Sequence, residues 1–217
     1  MTPPADPHHG LDVLAAGRPL GKGRAVVVLV HGRNASPTNI MDLVPRLDRE
    51  DITWFAPAAV GRTWYPLSFM APRDQNEPFL TSALEALSRV VSSATAAGVA
   101  RDRIVLLGFS QGACLATEFT LRSPGSVGGL VAFSGGLVGP PGTTWPDPPA
   151  QPSLSAFFGC SDVDVHVPWS RVAESAAVFE RAGALVDLRQ YPGMGHLVSN
   201  DEIAAARIVI DKAMADR

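Results

Sequence analysis

Short apolar runs alternate along the chain with longer stretches in which apolar residues recur at helical spacing. The short runs are β-branched or apolar and predict strands at residues 25–30, 52–56, 103–107, 129–134, 154–158 and 185–191. The longer stretches predict helices at residues 38–47, 78–97, 113–122, 169–182 and 202–215. Such alternation is typical of an α/β fold, in which a mostly parallel central sheet is flanked by helices on both faces.

The first 15 residues and one internal segment depart from this alternation. Residues 11–15 predict an edge strand, whereas residues 1–9 are rich in Pro and His and predict a disordered tail. Residues 138–152 contain six prolines and predict a surface loop, because proline removes a backbone donor and fixes φ. This loop is either a rigid crossover or a rim of an active site, with Trp145 touching substrate. We expect one domain at 10–217, without a large lid.

The composition is typical of a single compact domain. The 217 residues are 46% hydrophobic and carry 18 basic and 21 acidic side chains, for a formal net charge of -3. That balance gives no electrostatic attraction to nucleic acid. The first ten residues lack the features of a secretory signal, and no apolar run approaches membrane-spanning length, so we expect a cytoplasmic protein without stable membrane insertion. Cys114 and Cys160 are expected to be free, buried thiols.

A pentapeptide in the middle of the chain predicts a nucleophile. Gly-Phe-Ser-Gln-Gly, with the serine at position 110, follows a predicted strand and opens a predicted helix. Its two glycines allow a sharp turn that leaves the hydroxyl of Ser110 exposed at the end of the strand. The pattern alone is only suggestive, and its strand-turn-helix context is what favours a serine hydrolase.

A serine hydroxyl needs a base, and the base needs an orienting carboxylate. In the expected chain order the acid and then the histidine follow the serine, each in a loop after a strand. His196 follows the strand at 185–191 and is the predicted base. The loop after the preceding strand offers Asp162 and Asp164; we favour Asp164, which precedes a proline suited to a helix start, and Asp162 remains the alternative.

Backbone amides must stabilise the oxyanion of an acyl-transfer transition state. One comes from the residue after the nucleophile, Gln111, and the other from the loop after an early strand, where Arg33 follows His-Gly. The start of the helix at Gln111 adds a favourable dipole.

The motifs His-Gly-Arg-Asn, Gly-Phe-Ser-Gln-Gly, Asp-Val-His-Val-Pro and Gly-Met-Gly-His occur in this order. With them the chain resembles the phospholipase/carboxylesterase family of α/β-hydrolases, the relatives of acyl-protein thioesterases, from about residue 25 to residue 210. The resemblance implies a lidless serine esterase with Ser110, Asp164 and His196 as triad and Arg33 and Gln111 as oxyanion donors. The family usually has Gly where Asn34 stands, and the acid loop is about two residues longer here, which keeps Asp162 open.

Trp64 and Tyr65 lie in a region that lines the pocket of related enzymes, and are either substrate contacts or core aromatics. The predicted function is hydrolysis of a small-molecule ester or thioester through an acyl-enzyme, without metal or organic cofactor, by a monomer or homodimer. The alternatives are a serine peptidase or dienelactone-type hydrolase on the same fold, or a non-catalytic binding protein.

Overall fold

A computed structural model describes residues 6–215. Its centre is a seven-stranded sheet in the order β1-β3-β2-β4-β5-β6-β7. The strands are β1 (Val13–Gly17), β2 (Ala25–Val30), β3 (Ile52–Pro57), β4 (Ile104–Phe109), β5 (Gly129–Phe133), β6 (Ser155–Ser161) and β7 (Leu185–Tyr191). Only β1 runs antiparallel, against β3, so the carboxyl ends of β2 to β7 lie along one edge.

Helices cover both faces of this sheet, as the sequence predicts. They are α1 (Pro37–Met41), α2 (Val44–Leu47), α3 (Phe79–Ala96), α4 (Gln111–Arg122), α5 (Trp169–Arg181) and α6 (Asn200–Met214). Three short 3-10 turns lie at Val60–Arg62, Arg73–Asn76 and Arg101–Arg103. One core packs alternate strand residues against α3, α4 and α5, and the other packs the opposite face against α1, α2 and α6. Burial of both faces explains why the central strands are continuously apolar.

The helix predicted at 38–47 is two helices in the structure. Pro45 lies in the first turn of α2, where a backbone N–H would have no intrahelical acceptor. In the middle of one longer helix, Pro45 would leave the carbonyl four residues earlier without its donor, so the helix is interrupted. The edge strand predicted at 11–15 is present two residues further on, as β1.

The proline-rich segment at 138–152 contains neither helix nor strand, which confirms the predicted loop. The buried guanidinium of Arg171 donates to the carbonyls of Leu137, Gly139 and Pro140 and holds the start of the loop against α5. The same guanidinium lies 5.5 Å from the ring centroid of Trp145. Trp145 therefore packs on α5, as expected of a rigid crossover.

The predicted tail is only partly within the described residues, since residues 1–5 lie outside them. Residues 6–9 differ from the expectation of disorder: they form a turn packed on α3, and His8 is buried. The carboxylate of Asp6 accepts hydrogen bonds from Ser82 and Arg89, both on α3. Composition did not indicate these contacts because both partners are more than 70 positions away along the chain.

Among residues 6–215, no helix combines the length and apolarity needed to cross a bilayer. Cys114 and Cys160 are free and buried, as predicted.

Candidate active site

The nucleophile candidate lies on a strained turn between β4 and α4. Ser110 has φ 56° and ψ -122°, a left-handed conformation rare for a residue with a side chain. A Cβ built on Gly112 would lie 2.1 Å from the carbonyl oxygen of Val30, and one on Gly108 would lie 2.5 Å from that of Gly112. Gly112 is therefore required for α4 to start close against the end of β2, and Gly108 for the turn to fold back onto the start of α4. The turn presents the hydroxyl at the carboxyl edge of the sheet.

Two loops bring an imidazole and a carboxylate to this hydroxyl. Nε2 of His196, after β7, lies 2.9 Å from Oγ of Ser110. Nδ1 of the same ring lies 2.6 Å from Oδ2 of Asp164, after β6. The three side chains thus form a continuous hydrogen-bonded chain. In the sequence, His196 is 32 positions from Asp164 and 86 positions from Ser110. In this chain the carboxylate fixes the proton on Nδ1 and leaves Nε2 able to accept the serine proton.

The carboxylate of Asp164 is fully buried and well satisfied. Oδ1 accepts the amides of His166 at 2.8 Å and Val167 at 3.0 Å, while Oδ2 accepts from His196. Burial opposes ionisation, but the hydrogen bonds from His196 and the two amides outweigh it, so the pKa of Asp164 lies below its usual value. The carboxylate is ionised at neutral pH.

Asp162, the alternative acid, does not reach the imidazole by hydrogen bond. Its Oδ1 instead accepts the amide of Gly193 at 2.8 Å, in the loop that carries His196. The two aspartates therefore have separate partners: Asp164 is bonded to the ring of His196, and Asp162 to the backbone of the loop that carries His196.

The predicted oxyanion donors, Arg33 and Gln111, border the same cleft. Gln111 is the first residue of α4, so its amide N–H has no intrahelical acceptor. The amide of Arg33 donates no backbone hydrogen bond within residues 6–215. Asn34 has φ 61°, in the left-handed region where Asn is tolerated better than most residues.

The cleft over Ser110 has a volume of about 530 Å³. It is lined by Gly32, Arg33, Asn34, Ala35, Tyr65, Pro66, Leu67, Ser68, Phe69, Phe109, Ser110, Gln111, Cys114, His166, Val167 and His196. Its lining is therefore mixed, with apolar side chains such as Leu67, Phe69 and Val167 and polar ones from Arg33 and the two histidines.

The two aromatic residues predicted as substrate contacts lie differently. Tyr65 borders the cleft, although its side chain is buried. Trp64 is absent from the cleft lining and fully buried; its indole N–H donates to the carbonyl of His31 at 2.8 Å, and its ring lies 4.9 Å from that of His31. Trp64 thus packs behind the cleft wall.

Sequence reasoning missed two rings around the imidazole of His196. His166 lies edge-on to His196 with ring centroids 4.8 Å apart. Phe109, before the nucleophile, packs on His196 at the same centroid distance. In the sequence, Phe109 directly precedes Ser110 and His166 is two residues after Asp164. This adjacency to motif residues is the signal that could have found both rings.

Other reactive groups of the molecule are poorly suited to nucleophilic chemistry. Burial raises the pKa of Cys114 and of Cys160 to about 12, which keeps both thiols protonated at neutral pH. Within the described part of the chain, no group of three or more His, Cys, Asp or Glu side chains could hold a metal ion.

The parallel sheet, the turn at Ser110 and the loops that meet it define an α/β-hydrolase. A family model described as Phospholipase/Carboxylesterase matches residues 14–214, and the chain belongs to that family.

Relatives and solved structures agree with this assignment. The crystal structure of a phospholipase/carboxylesterase from Dyadobacter fermentans DSM 18053 has a TM-score of 0.87 and 37% identity, covering 93% of this chain and 97% of that one. A probable carboxylesterase, SOBER1-like, from Arabidopsis thaliana is 24% identical over 83% of this chain and 75% of its own. Acyl-protein thioesterase 1 from Saccharomyces cerevisiae is 25% identical over 62% of this chain and 60% of its own. The chain is a serine hydrolase of the esterase class.

Proposed function

We propose that the chain is a serine carboxylesterase in which Ser110 is the nucleophile, His196 the general base and Asp164 the orienting acid. The observation that carries the proposal is the continuous hydrogen-bonded chain, with 2.9 Å from Oγ of Ser110 to Nε2 of His196 and 2.6 Å from Nδ1 of His196 to Oδ2 of Asp164. This is the arrangement that activates a weak alcohol nucleophile at neutral pH.

In the proposed reaction, Oγ of Ser110 attacks the ester carbonyl as Nε2 of His196 takes its proton. The carbonyl oxygen becomes an oxyanion, and the amides of Arg33 and Gln111 stabilise it at the positive end of α4. The intermediate collapses as His196 gives its proton to the departing alcohol or thiol, which leaves an acyl group on Ser110. Water repeats the cycle and releases the acid.

The cleft supports small or medium acyl groups as substrates. About 530 Å³ accommodates a small-molecule ester, and the apolar wall from Leu67, Phe69 and Val167 suits an alkyl chain. Some relatives are named acyl-protein thioesterase 1, so thioesters belong to the proposed substrate class alongside oxygen esters.

The proposal is tested by hydrolysis of p-nitrophenyl esters from acetate to palmitate and of an acyl thioester of the preferred length. We expect the wild type to hydrolyse a short or medium ester, with loss of activity beyond 10³-fold in Ser110→Ala, since both the nucleophile and its covalent intermediate are removed. Equal rates in the two proteins, or no hydrolysis of any ester in the series by the wild type, would overturn the proposal.

We also propose a cytoplasmic location. The two free, buried cysteines support it, because proteins of oxidising compartments commonly pair their cysteines. Fractionation of the native host tests the location, and recovery of the protein outside the cytoplasmic fraction would contradict it.

A further inference from the structure

The turn at residues 6–9 makes contacts that the proposed reaction does not use. Asp6 accepts from Ser82 and, at 2.9 Å, from Arg89, and the amide of His8 donates to Oγ of Ser82 at 2.8 Å. Arg89 also donates to the carbonyl of His8 at 3.2 Å. These bonds fix the backbone of the turn to α3, so the imidazole of His8 projects from a rigid base.

The ring of His8 is buried and both of its nitrogen atoms have partners. The amide of Val60 donates to Nδ1 at 3.1 Å, and Nε2 lies 2.9 Å from the carbonyl oxygen of Trp64. An amide can only donate, so Nδ1 is the acceptor and the proton of the neutral ring is on Nε2. The ring also packs on Trp64 and Phe79, at centroid distances of 5.6 and 6.2 Å. His8 thereby clamps both ends of residues 60–64.

This clamped segment continues directly to the proposed oxyanion donors. The amide of Trp64 donates to Oε1 of Gln111 at 3.1 Å, and Nε2 of Gln111 donates to the carbonyl of Tyr65 at 2.8 Å. Gln111 is thus held through its side chain by the backbone of residues 64 and 65, while its own backbone amide, the first of α4, has no intrahelical acceptor.

The other donor is tied to the same segment. The guanidinium of Arg33 donates to the carbonyls of Pro66 at 2.8 Å and Leu67 at 2.5 Å. The amide of Asn34, next along the chain, donates to the carbonyl of Arg62 at 2.8 Å. Residues 60–67 are therefore a common support for both oxyanion donors, and His8 secures that support without lining the cleft over Ser110.

We propose that His8 is a positioning residue that holds residues 60–67 so that the amides of Arg33 and Gln111 converge on the oxyanion. The inference rests on the proposed esterase function. Oxyanion stabilisation depends on donor placement at hydrogen-bond distance, and a displacement of about 1 Å can cost about 100-fold in rate. Because the oxyanion forms only in the transition state, a loosened support lowers kcat more than it raises KM.

The test compares His8→Ala, His8→Gln and His8→Asn with the wild type on the preferred p-nitrophenyl ester. The Gln amide reaches the position of Nε2 and retains the donor to Trp64, whereas the shorter Asn reaches the position of Nδ1 and retains only the acceptor for Val60. We expect kcat to fall about 10-fold or more in His8→Ala, with KM within about 3-fold, and His8→Gln to recover most of kcat where His8→Asn recovers less.

A matched control is His9→Ala: His9 is exposed, and its ring only approaches Oδ2 of Asp6, at 3.5 Å, while Asp6 keeps its hydrogen bonds from Ser82 and Arg89. It should retain the kcat of the wild type. Thermal unfolding and active-site titration accompany every variant, so that kcat is expressed per folded active site. Should His8→Ala fail to fold, the Gln and Asn variants still separate the two hydrogen bonds.

The outcomes separate this inference from the function beneath it. Hydrolysis by the wild type, its loss in Ser110→Ala and an unchanged kcat in His8→Ala would overturn the role of His8 and leave the esterase function intact. Recovery by Asn to the same extent as by Gln would also overturn the proposed link through Trp64. No ester hydrolysis by the wild type would overturn both proposals.

Discussion

At the level of single residues, Asp162 and Asp164 have different roles although they are chemically identical and lie in one loop. Asp164 is buried, accepts two loop amides and reaches Nδ1 of His196. Asp162 is exposed and holds the amide of Gly193. The difference follows from the direction each side chain takes from the loop, which a sequence of closely spaced aspartates does not reveal.

Exchanging each aspartate for asparagine tests this division. Asp164→Asn should lower kcat by about 10³- to 10⁴-fold, because an amide neither stabilises the imidazolium nor enforces the required tautomer of His196. Asp162→Asn is the matched control: its amide oxygen still accepts from Gly193, and we expect kcat within about 5-fold of the wild type. Steady-state kinetics of both variants give the comparison, and equal losses, or a larger loss in Asp162→Asn, would contradict the assignment.

At the scale of elements, buried charge ties the proline-rich loop to α4. The carboxylate of Glu118 is fully buried and accepts from Arg73, Arg122 and, at 3.0 Å, the buried amide of Val138. The two arginines remain more than a third exposed, so water can replace the carboxylate for them. The amide of Val138 has no such replacement.

We therefore expect Glu118→Ala to lower the free energy of unfolding by about 1–3 kcal/mol, the cost of leaving a buried N–H without an acceptor. Glu85→Ala, on the exposed face of α3, is the control and should lie within about 0.5 kcal/mol of the wild type. Urea unfolding measures both. A Glu118→Ala protein as stable as the Glu85→Ala protein would show that the loop does not depend on this acceptor.

The elements themselves were largely predictable where periodicity is strong. Residues 25–30 and 185–191 form strands with the predicted bounds; the first contains four valines, which favour a strand, and the second lies between Gly183 and Gly193, which limit its length. The prediction of one helix at 38–47 was wrong, because the helical spacing of apolar residues continues through Pro45 although the helix does not.

The site was predictable to the extent that it depends on local motifs. Ser110, His196 and Asp164 follow strands whose carboxyl ends share one edge, so parallel topology alone predicts that they meet. The burial of Trp64 and the contacts of His8 depend on partners that topology does not place, such as His31 and Ser82. Tertiary packing decides those positions.

At the scale of the whole molecule, two buried histidines link folding to pH. Burial is the main cause that lowers the pKa of His8 and of His31 below the usual 6.5. As pH falls below that value, the unfolded chain takes up protons that the folded protein excludes, so stability is lost until the pH passes the folded pKa. Burial raises the pKa of Glu202, so protonation of Glu202 adds stability as pH falls and partly offsets the effect of the histidines. The difference in pH dependence between the wild type and a His8 variant therefore isolates the contribution of His8.

We expect the wild type to lose stability between pH 7 and pH 5.5, and His8→Gln to lose less of it. One histidine accounts for up to about 1.4 kcal/mol per pH unit in the window between its unfolded and folded pKa values. Chemical denaturation at several pH values measures the two slopes. The same pH dependence in both proteins would contradict the burial of a neutral His8.

Covalent trapping asks whether Ser110 is a nucleophile activated by His196. The folded protein is treated with a fluorophosphonate, and its intact mass and peptide map are measured for the wild type, Ser110→Ala and His196→Gln. We expect one adduct per chain, on Ser110, no adduct in Ser110→Ala and labelling slowed by at least about 100-fold in His196→Gln. An adduct on another residue, or labelling of Ser110 at the same rate without His196, would contradict these roles of Ser110 and His196.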